Sequence, residues 1–363
     1  MVTKILFDRH NGKEKRCVEQ ITQGRYYFLC DLHGYISSIA NVAIFSYFCN
    51  TMAKTEKSCD ISVVIPLYNK SADIERTLRS VLAQTLAPRE IIVVDDGSTD
   101  DSATIAQRIG GDRITLIRQQ NQGVSVARNN AIVAAQSRWV ALLDGDDVWM
   151  DDYIETVAEM IQRWPDCGAY GVRVLVDDGK NMVPTSAPAT EGIVDFFAES
   201  MKGYVLIPSA TTLNRELALE LGAFPEGMRM GEDQYLWTKI ARRASVAFHP
   251  QPKVIYSRAA ANRSAESYSP EQSLFSLENL YDPSQSTISN EYVARVALGK
   301  ALIESAKGGS QAAKRALDFF SYNTMSQRIA RKVRLLNSLP VKWRPTVLAI
   351  YNRLAWLIAR KGL

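Results

Sequence analysis

The chain has 363 residues and a formal net charge of only +4, so it is not the strongly basic kind of protein that coats nucleic acid. Apolar residues at 46% and charged residues at 23% are ordinary globular composition, enough for one large domain or a domain with an extension. The five cysteines, Cys17, Cys30, Cys49, Cys59 and Cys167, contain no CxxC pair and point to free thiols in a reducing compartment. With only His10, His33 and His249 available, a histidine-rich zinc site is disfavoured, and any metal should be a hard cation held by carboxylates.

The opening "MVTKILFDRHNGKEKR" is charged and is no secretory signal. "GYISSIANVAIFSYFC", residues 34–49, is apolar but shorter than the roughly 20 residues of a spanning helix. Residues 1–58 therefore read as an N-terminal extension of doubtful structure, with Met52 starting a polar lead into the first strand.

From residue 59 to 265 the pattern is regular. "ISVVI" (61–65), "EIIVV" (90–94), "ITLI" (114–117) and "WVALL" (139–143) are short apolar runs. Between them, "ADIERTLRSVLAQ" (72–84), "SATIAQRI" (102–109) and "VSVARNNAIVAAQ" (124–136) have helical spacing. Apolar strands alternating with amphipathic helices predict a Rossmann-like, mostly parallel sheet with helices on both faces. Ligands of such sheets bind at the carboxyl ends of the strands. The polar groups to watch are thus "PLYN" (66–69), "DDGS" (95–98) and "DGDD" (144–147). A helix at 151–164 and a strand at 169–176 follow, then a polar, turn-rich loop expected to be mobile and near a ligand. A helix with an acidic first turn is expected at 231–243, and "AAANRSAESYSP" (259–270) reads as a linker.

Residues 266–363 read as a helical, basic C-terminal region. From Ser321 onward there are nine Lys or Arg and no Asp or Glu, with Trp343 and Trp356 interleaved. Basic amphipathic helices with aromatics suit an anionic membrane surface. The plainer reading is a basic helix packed on the domain with a solvated face. No nucleic-acid recognition motif accompanies it.

Asp144, Asp146 and Asp147 crowd into four positions after a strand. A calcium loop starting at Asp144 would put Val148 at a ligand position and Trp149 where a glycine turn is required, which excludes it. "LLDGDDV" also fits a phosphatase of the haloacid dehalogenase type with Asp144 as nucleophile, but that reading leaves "DDGS" and "PLYN" unexplained. A nucleotide–metal site fits better. One or two carboxylates suffice to hold a divalent cation on a diphosphate, and Asp144 and Asp146, two apart at a strand end, point the same way.

The motif order then becomes specific. "VVIPLYN", "EIIVVDDGSTD", "NQGVSVARNNAI", "WVALLDGDDVW" and "GEDQYLW" resemble, in order and spacing, the landmarks of the family 2 glycosyltransferases. The likeness runs from about Ile61 to about Arg263. It implies a GT-A fold followed by a C-terminal helical extension, and an inverting sugar transfer from a nucleotide-sugar donor, usually UDP-linked. It implies Asp95 on the base, Asp96 near the ribose, and Pro66, Tyr68 and Asn69 lining the nucleotide pocket. Arg128 would contact the nucleotide, Asp144 the ribose or metal, Asp146 the metal (Mg²⁺ or Mn²⁺), and Asp233 would be the catalytic base. By the same likeness the acceptor is a glycan or lipid-linked glycan at the cytoplasmic face of the membrane, which the protein would meet peripherally through its basic helices. Each residue also has a plainer reading. Pro66 could end a strand, Asp96 to Ser98 could be a turn, Arg128 could be a surface ion-pair partner, and Glu232 and Asp233 could be helix-start carboxylates. One departure stands out. Where relatives carry a further metal-binding histidine, residues 257–261 read "SRAAA", so Arg258 or Arg263 would serve the diphosphate, and His249 is expected to pack locally.

Overall fold

The computed structural model describes residues 59–228, 230–258 and 275–351, together with strands within 3–30. The apolar stretch at 34–49, the whole expected linker at 259–270 with Arg263, and the tail with Trp356 lie outside the described residues. In the N-terminal unit, Thr3–His10 (β1), Lys13–Thr22 (β2) and Arg25–Cys30 (β3) pair antiparallel in that order. They fall in the stretch that the sequence leaves as an extension of doubtful structure.

The second unit begins at Glu56. Its first half alternates as the sequence predicts: Cys59–Leu67 (β4), Ile74–Leu82 (α1), Pro88–Asp95 (β5), Ser102–Gly110 (α2), Thr115–Arg118 (β6), Val124–Ala134 (α3) and Trp139–Leu142 (β7). β4 is flanked by β5 and β7, with β6 outside β5, and these four are parallel. The β4 run is apolar at successive positions because both faces are covered. Val63 and Ile65 join one core with Ile74, Leu78 and Val81 of α1. Val64 joins the other with Ala127, Ala131 and Ile132 of α3.

The second half adds Val148–Trp149 (β8), Tyr153–Arg163 (α4), Ala169–Asp177 (β9), Met182–Pro184 (β10), Gly192–Val194 (β11), Phe196–Ser200 (α5), Thr211–Asn214 (β12), Arg215–Glu220 (α6), Glu232–Arg243 (α7) and Val246–Ser257 (β13). β12 inserts between β7 and β9, antiparallel to both, while β13 runs parallel to β9. The fold is α/β with one mostly parallel sheet, as expected, but the antiparallel β12 carries no signature in the sequence. Part of the polar loop after residue 176 is also a hairpin, with β10 pairing back on β9. Gly171 of β9 answers a packing demand: a Cβ there would lie 2.2 Å from the Val205 carbonyl oxygen, so only glycine lets that segment pass.

Thr287–Ala306 (α8), Ser310–Phe319 (α9) and Gln327–Ser338 (α10) form the C-terminal helical region. α8 packs on the sheet core through Tyr292, which sits with Phe196, Phe197 and Trp237. No helix among the described residues is long and apolar enough to cross a membrane.

Candidate active site

The carboxyl ends of β4, β5 and β7 converge where the sheet changes winding direction, the place where an open α/β sheet leaves a crevice. Pro66 lies within β4, opposite Val94, and Tyr68 stands largely exposed beyond it. Asn69 takes a left-handed backbone conformation, φ +50°, which asparagine tolerates better than most residues. Its Oδ1 accepts the Thr99 N–H at 2.8 Å, and its own N–H donates to Ser98 Oγ at 3.1 Å. "PLYN" and "DDGSTD" are thereby laced into one wall.

Asp95 and Asp96 are both buried but face different partners. Asp95 accepts the Ser98 N–H at 3.0 Å and closes its own turn. Asp96 accepts from Gln119 Nε2 at 2.7 Å, the Gln122 N–H at 2.8 Å and the Gly123 N–H at 2.8 Å. Both Asp96 oxygens therefore hold the loop that launches α3, and α3 carries Arg128.

Arg128 is 3% exposed. One amino group donates to Asp144 Oδ1 at 2.7 Å and the other approaches Glu232 Oε1 at 3.2 Å, while its Cζ lies 5.1 Å from the centroid of the Phe224 ring. Burial alone would lower its proton affinity, but the charges of Asp144 and Glu232 outweigh that and raise it. The guanidinium is therefore a fixed cation bridging the aspartate turn and the acidic start of α7. The sequence carries no local sign of this bridge, whose partners Arg128 and Glu232 lie 104 positions apart. Among the described residues the Arg128 Nε finds no hydrogen-bond partner.

The three aspartates have three different partners. Asp144 faces Arg128. Asp146 pairs with Lys70 Nζ at 2.6 Å. Asp147, 0% exposed, accepts Ser209 Oγ–H at 2.5 Å and the Ser257 N–H at 2.8 Å. Ser209 Oγ in turn accepts the Asp144 N–H at 3.1 Å. Asp147 thus pins the turn to β13 and to the segment before β12. Burial, with the charges of Asp144 and Asp146, pushes its carboxyl well up. Lys70 follows "PLYN" directly in the sequence, whereas Ser209 has no local signal.

Among the described residues no group of three or more His, Cys, Asp or Glu is placed to hold a metal alone. Asp144 and Asp146 nevertheless suit a hard divalent ion shared with a diphosphate, which needs only one or two carboxylates. Burial and the Asp144 charge push the Asp146 carboxyl up, so a cation at its oxygens is favourable, and Lys70 is the cation that would yield. His249 lies on β13, and among the described residues its Nδ1 has no hydrogen-bond partner. Arg258 donates its N–H to the Asp177 carbonyl at 2.8 Å.

Gly231, at φ +82°, starts α7 in the left-handed region. Glu232 turns to Arg128, whereas Asp233 Oδ1 accepts the Gln234 N–H at 2.8 Å. Burial pushes both carboxyls up. For Glu232 the charge of Asp233 adds to this, Arg128 opposes it, and the result is about 7.

Residues 62–237 match the family profile described as glycosyl transferase family 2. The chain is 30% identical over 192 residues to a Bacillus subtilis protein provisionally named teichuronic acid biosynthesis glycosyltransferase TuaG, covering 52% of this chain and 74% of that one. It is 32% identical over 200 residues to an uncharacterized glycosyltransferase of Rickettsia conorii, covering 54% of this chain and 33% of that one. The chain thus spans about a third of the length of that relative. Among solved structures, S. aureus TarS 1-349 in complex with UDP-GlcNAc aligns with TM-score 0.57 at 20% identity, covering 81% of this chain and 91% of that one, which is a likeness of fold.

The raised Glu232 carboxyl makes stability depend on pH. In the unfolded chain it titrates near 4.5 and in the folded chain near 7, so the unfolded protein gives up the proton first. Its contribution is full below about 4.5 and is lost as pH rises toward about 7. Glu232→Gln cannot ionise. Across that window the urea midpoint of the unmodified protein is expected to fall relative to the variant's. A constant difference between the two would show that Glu232 titrates as an ordinary surface carboxylate.

Proposed function

The chain belongs to glycosyl transferase family 2, and from that premise we propose that it is an inverting glycosyltransferase, moving a sugar from a UDP-linked donor to a hydroxyl of a glycan or lipid-linked glycan. One observation carries the reading: Arg128 ties the Asp144 turn, where a diphosphate would lie, to the helix start that bears Asp233. Donor-side acids and a candidate base thus share one hydrogen-bonded cluster at the strand ends. The phosphatase alternative gains nothing from the family match, and its nucleophile Asp144 is held by Arg128.

On this reading Asp95, with Pro66, Tyr68 and Asn69, binds the nucleoside. Asp96 shapes the same wall through the loop it holds. Asp144 faces the ribose or metal and Asp146 the metal. A bound Mg²⁺ or Mn²⁺ supplies Lewis acidity for the charge that grows on the leaving diphosphate. Arg258 and Arg263 are the chain's own candidates for the same phosphates. Asp233 takes the proton of the acceptor hydroxyl as that oxygen attacks the anomeric carbon from the side opposite the diphosphate. An α-linked donor then gives a β-linked product. Arg128 holds Glu232 away from that role, which leaves Asp233 as the base.

The acceptor side suggests a surface. On α10, Arg328, Arg331 and Arg334 are exposed beside Leu335, and Val341, Lys342 and Trp343 follow, also exposed. A basic face with projecting apolar groups suits anionic lipid. It would hold the protein peripherally at the cytoplasmic face, where a lipid-linked glycan could be reached.

Asp233→Asn is expected to keep UDP affinity, read by calorimetry, and to lose transfer by roughly 10²- to 10⁴-fold, the usual scale of a general base. Near-normal turnover in that variant with a dead Glu232→Gln would reverse the assignment. UDP-GlcNAc, the ligand of the TarS structure, is the first donor to try. EDTA should abolish transfer and added Mn²⁺ restore it, and full activity in EDTA would remove the metal from the mechanism. Reversing Arg328, Arg331 and Arg334 together to Glu should weaken sedimentation with phosphatidylserine vesicles, and binding by the unmodified protein should fall with salt. Equal sedimentation of the two proteins would refute the membrane surface.

A further inference from the structure

A side chain of the C-terminal helical region reaches toward the candidate base. Tyr292 of α8 is 4% exposed. Its ring packs edge-on against Phe196 with centroids 5.4 Å apart, and its hydroxyl donates to Gln234 Oε1. A buried phenol needs such a partner. Gln234 Nε2 is then turned toward Asp233 Oδ2, at 3.3 Å, while the Gln234 N–H holds Oδ1 at 2.8 Å. The reverse amide orientation would set the Gln234 carbonyl oxygen against the Asp233 carboxylate, oxygen facing oxygen. A hydroxyl that donates to Oε1 selects the orientation that presents N–H to the acid.

We propose that Tyr292 is a positioning residue for the transfer reaction: through Gln234 it fixes the plane of the Asp233 carboxylate and favours its ionised form. The proposal rests on Asp233 being the base. Hydrogen bonds donated to a carboxylate favour its charged form and here oppose the burial that disfavours it. Burial and the nearby Asp233 charge keep the Tyr292 phenol protonated, so the donor persists over the working range. The charges facing Asp233 include Glu232, Arg128 and Asp144; on α8, Lys300 interacts with Glu232 and Arg295 with the Tyr292 phenol, and Tyr292→Phe removes none of these charges. Nor does α8 depend on the phenol for its seat. Arg242 at the end of α7 donates to Ser289 Oγ at 2.9 Å and to the Leu280 carbonyl at 2.6 Å, and the Tyr292 ring itself is retained in phenylalanine.

The test uses the full chain labelled with ¹³C at aspartate carboxyls, with the Asp233 signal identified by its loss in Asp233→Asn. In Tyr292→Phe the Asp233 titration midpoint should move to higher pH. Turnover of UDP-GlcNAc should fall roughly 2- to 10-fold, the worth of one hydrogen bond, with donor KM unchanged and the acid limb of kcat shifted the same way. Gln234→Met should move the midpoint at least as far, and the double variant no further than Gln234→Met alone, because both changes break one chain of contacts. An Asp233 midpoint that stays put in Tyr292→Phe, or shifts that simply add in the double variant, overturns the proposal whatever the turnover. If the midpoint moves while Asp233→Asn still transfers sugar, the contact stands and the assignment of the base falls.

Discussion

A guanidinium taken out of water must have anions around it, and the site is organised by how this chain meets that demand. Arg128 has Asp144 on one side and Glu232 on the other. Removing one partner of a buried ion pair typically costs about 3–5 kcal/mol, because the other charge is left uncompensated. The aspartate turn and the start of α7 are therefore bound to each other through Arg128, and neither can move far alone. The position of Arg128 itself descends from Asp96, whose two oxygens hold the loop at the start of α3. An acid at the end of β5 thus sets the cation that sets two other acids.

The crowding of Asp144, Asp146 and Asp147 is resolved by directing each to a different partner. Arg128 and Lys70 supply cations for the first two, and two hydrogen-bond donors receive the third. Like charges this close repel strongly in a medium of low polarity, so each needs its own compensation. The buried Asp147 is also what makes the turn stiff. It reaches β13 through the Ser257 N–H, and through Ser209 it reaches back to the Asp144 N–H. The other two acids, half-buried, are left nearer the rim of the turn.

Glu232 and Asp233 show how one residue's difference on a helix separates two roles. Successive side chains on an α-helix project about 100° apart. Glu232 meets Arg128, and Asp233 meets donors from its own helix turn. With Glu232 paired to Arg128, Asp233 is the acid of the two whose oxygens are held by Gln234 instead. The C-terminal helices then add to this arrangement from outside the α/β sheet, through Tyr292.

The amino-acid sequence by itself determined the alternation of strands and helices in the first half of the α/β unit. A strand covered on both faces must be a continuous apolar run, as at residues 61–65 and 90–94, and that is a local property. It also determined which polar residues stand at the strand ends, and the acidic start of α7 after Gly231. Only the tertiary structure decided which cation answers which carboxylate. Lys70 and Asp146 are 76 positions apart, Arg128 and Glu232 are 104 apart, and Ser257 and Asp147 are 110 apart. No spacing rule links such residues; chain topology brings them together. β12 was hidden for a related reason. Its four residues, Thr211–Asn214, are too few and too polar to show a period, and they form a strand because the gap between β7 and β9 supplies partners on both sides.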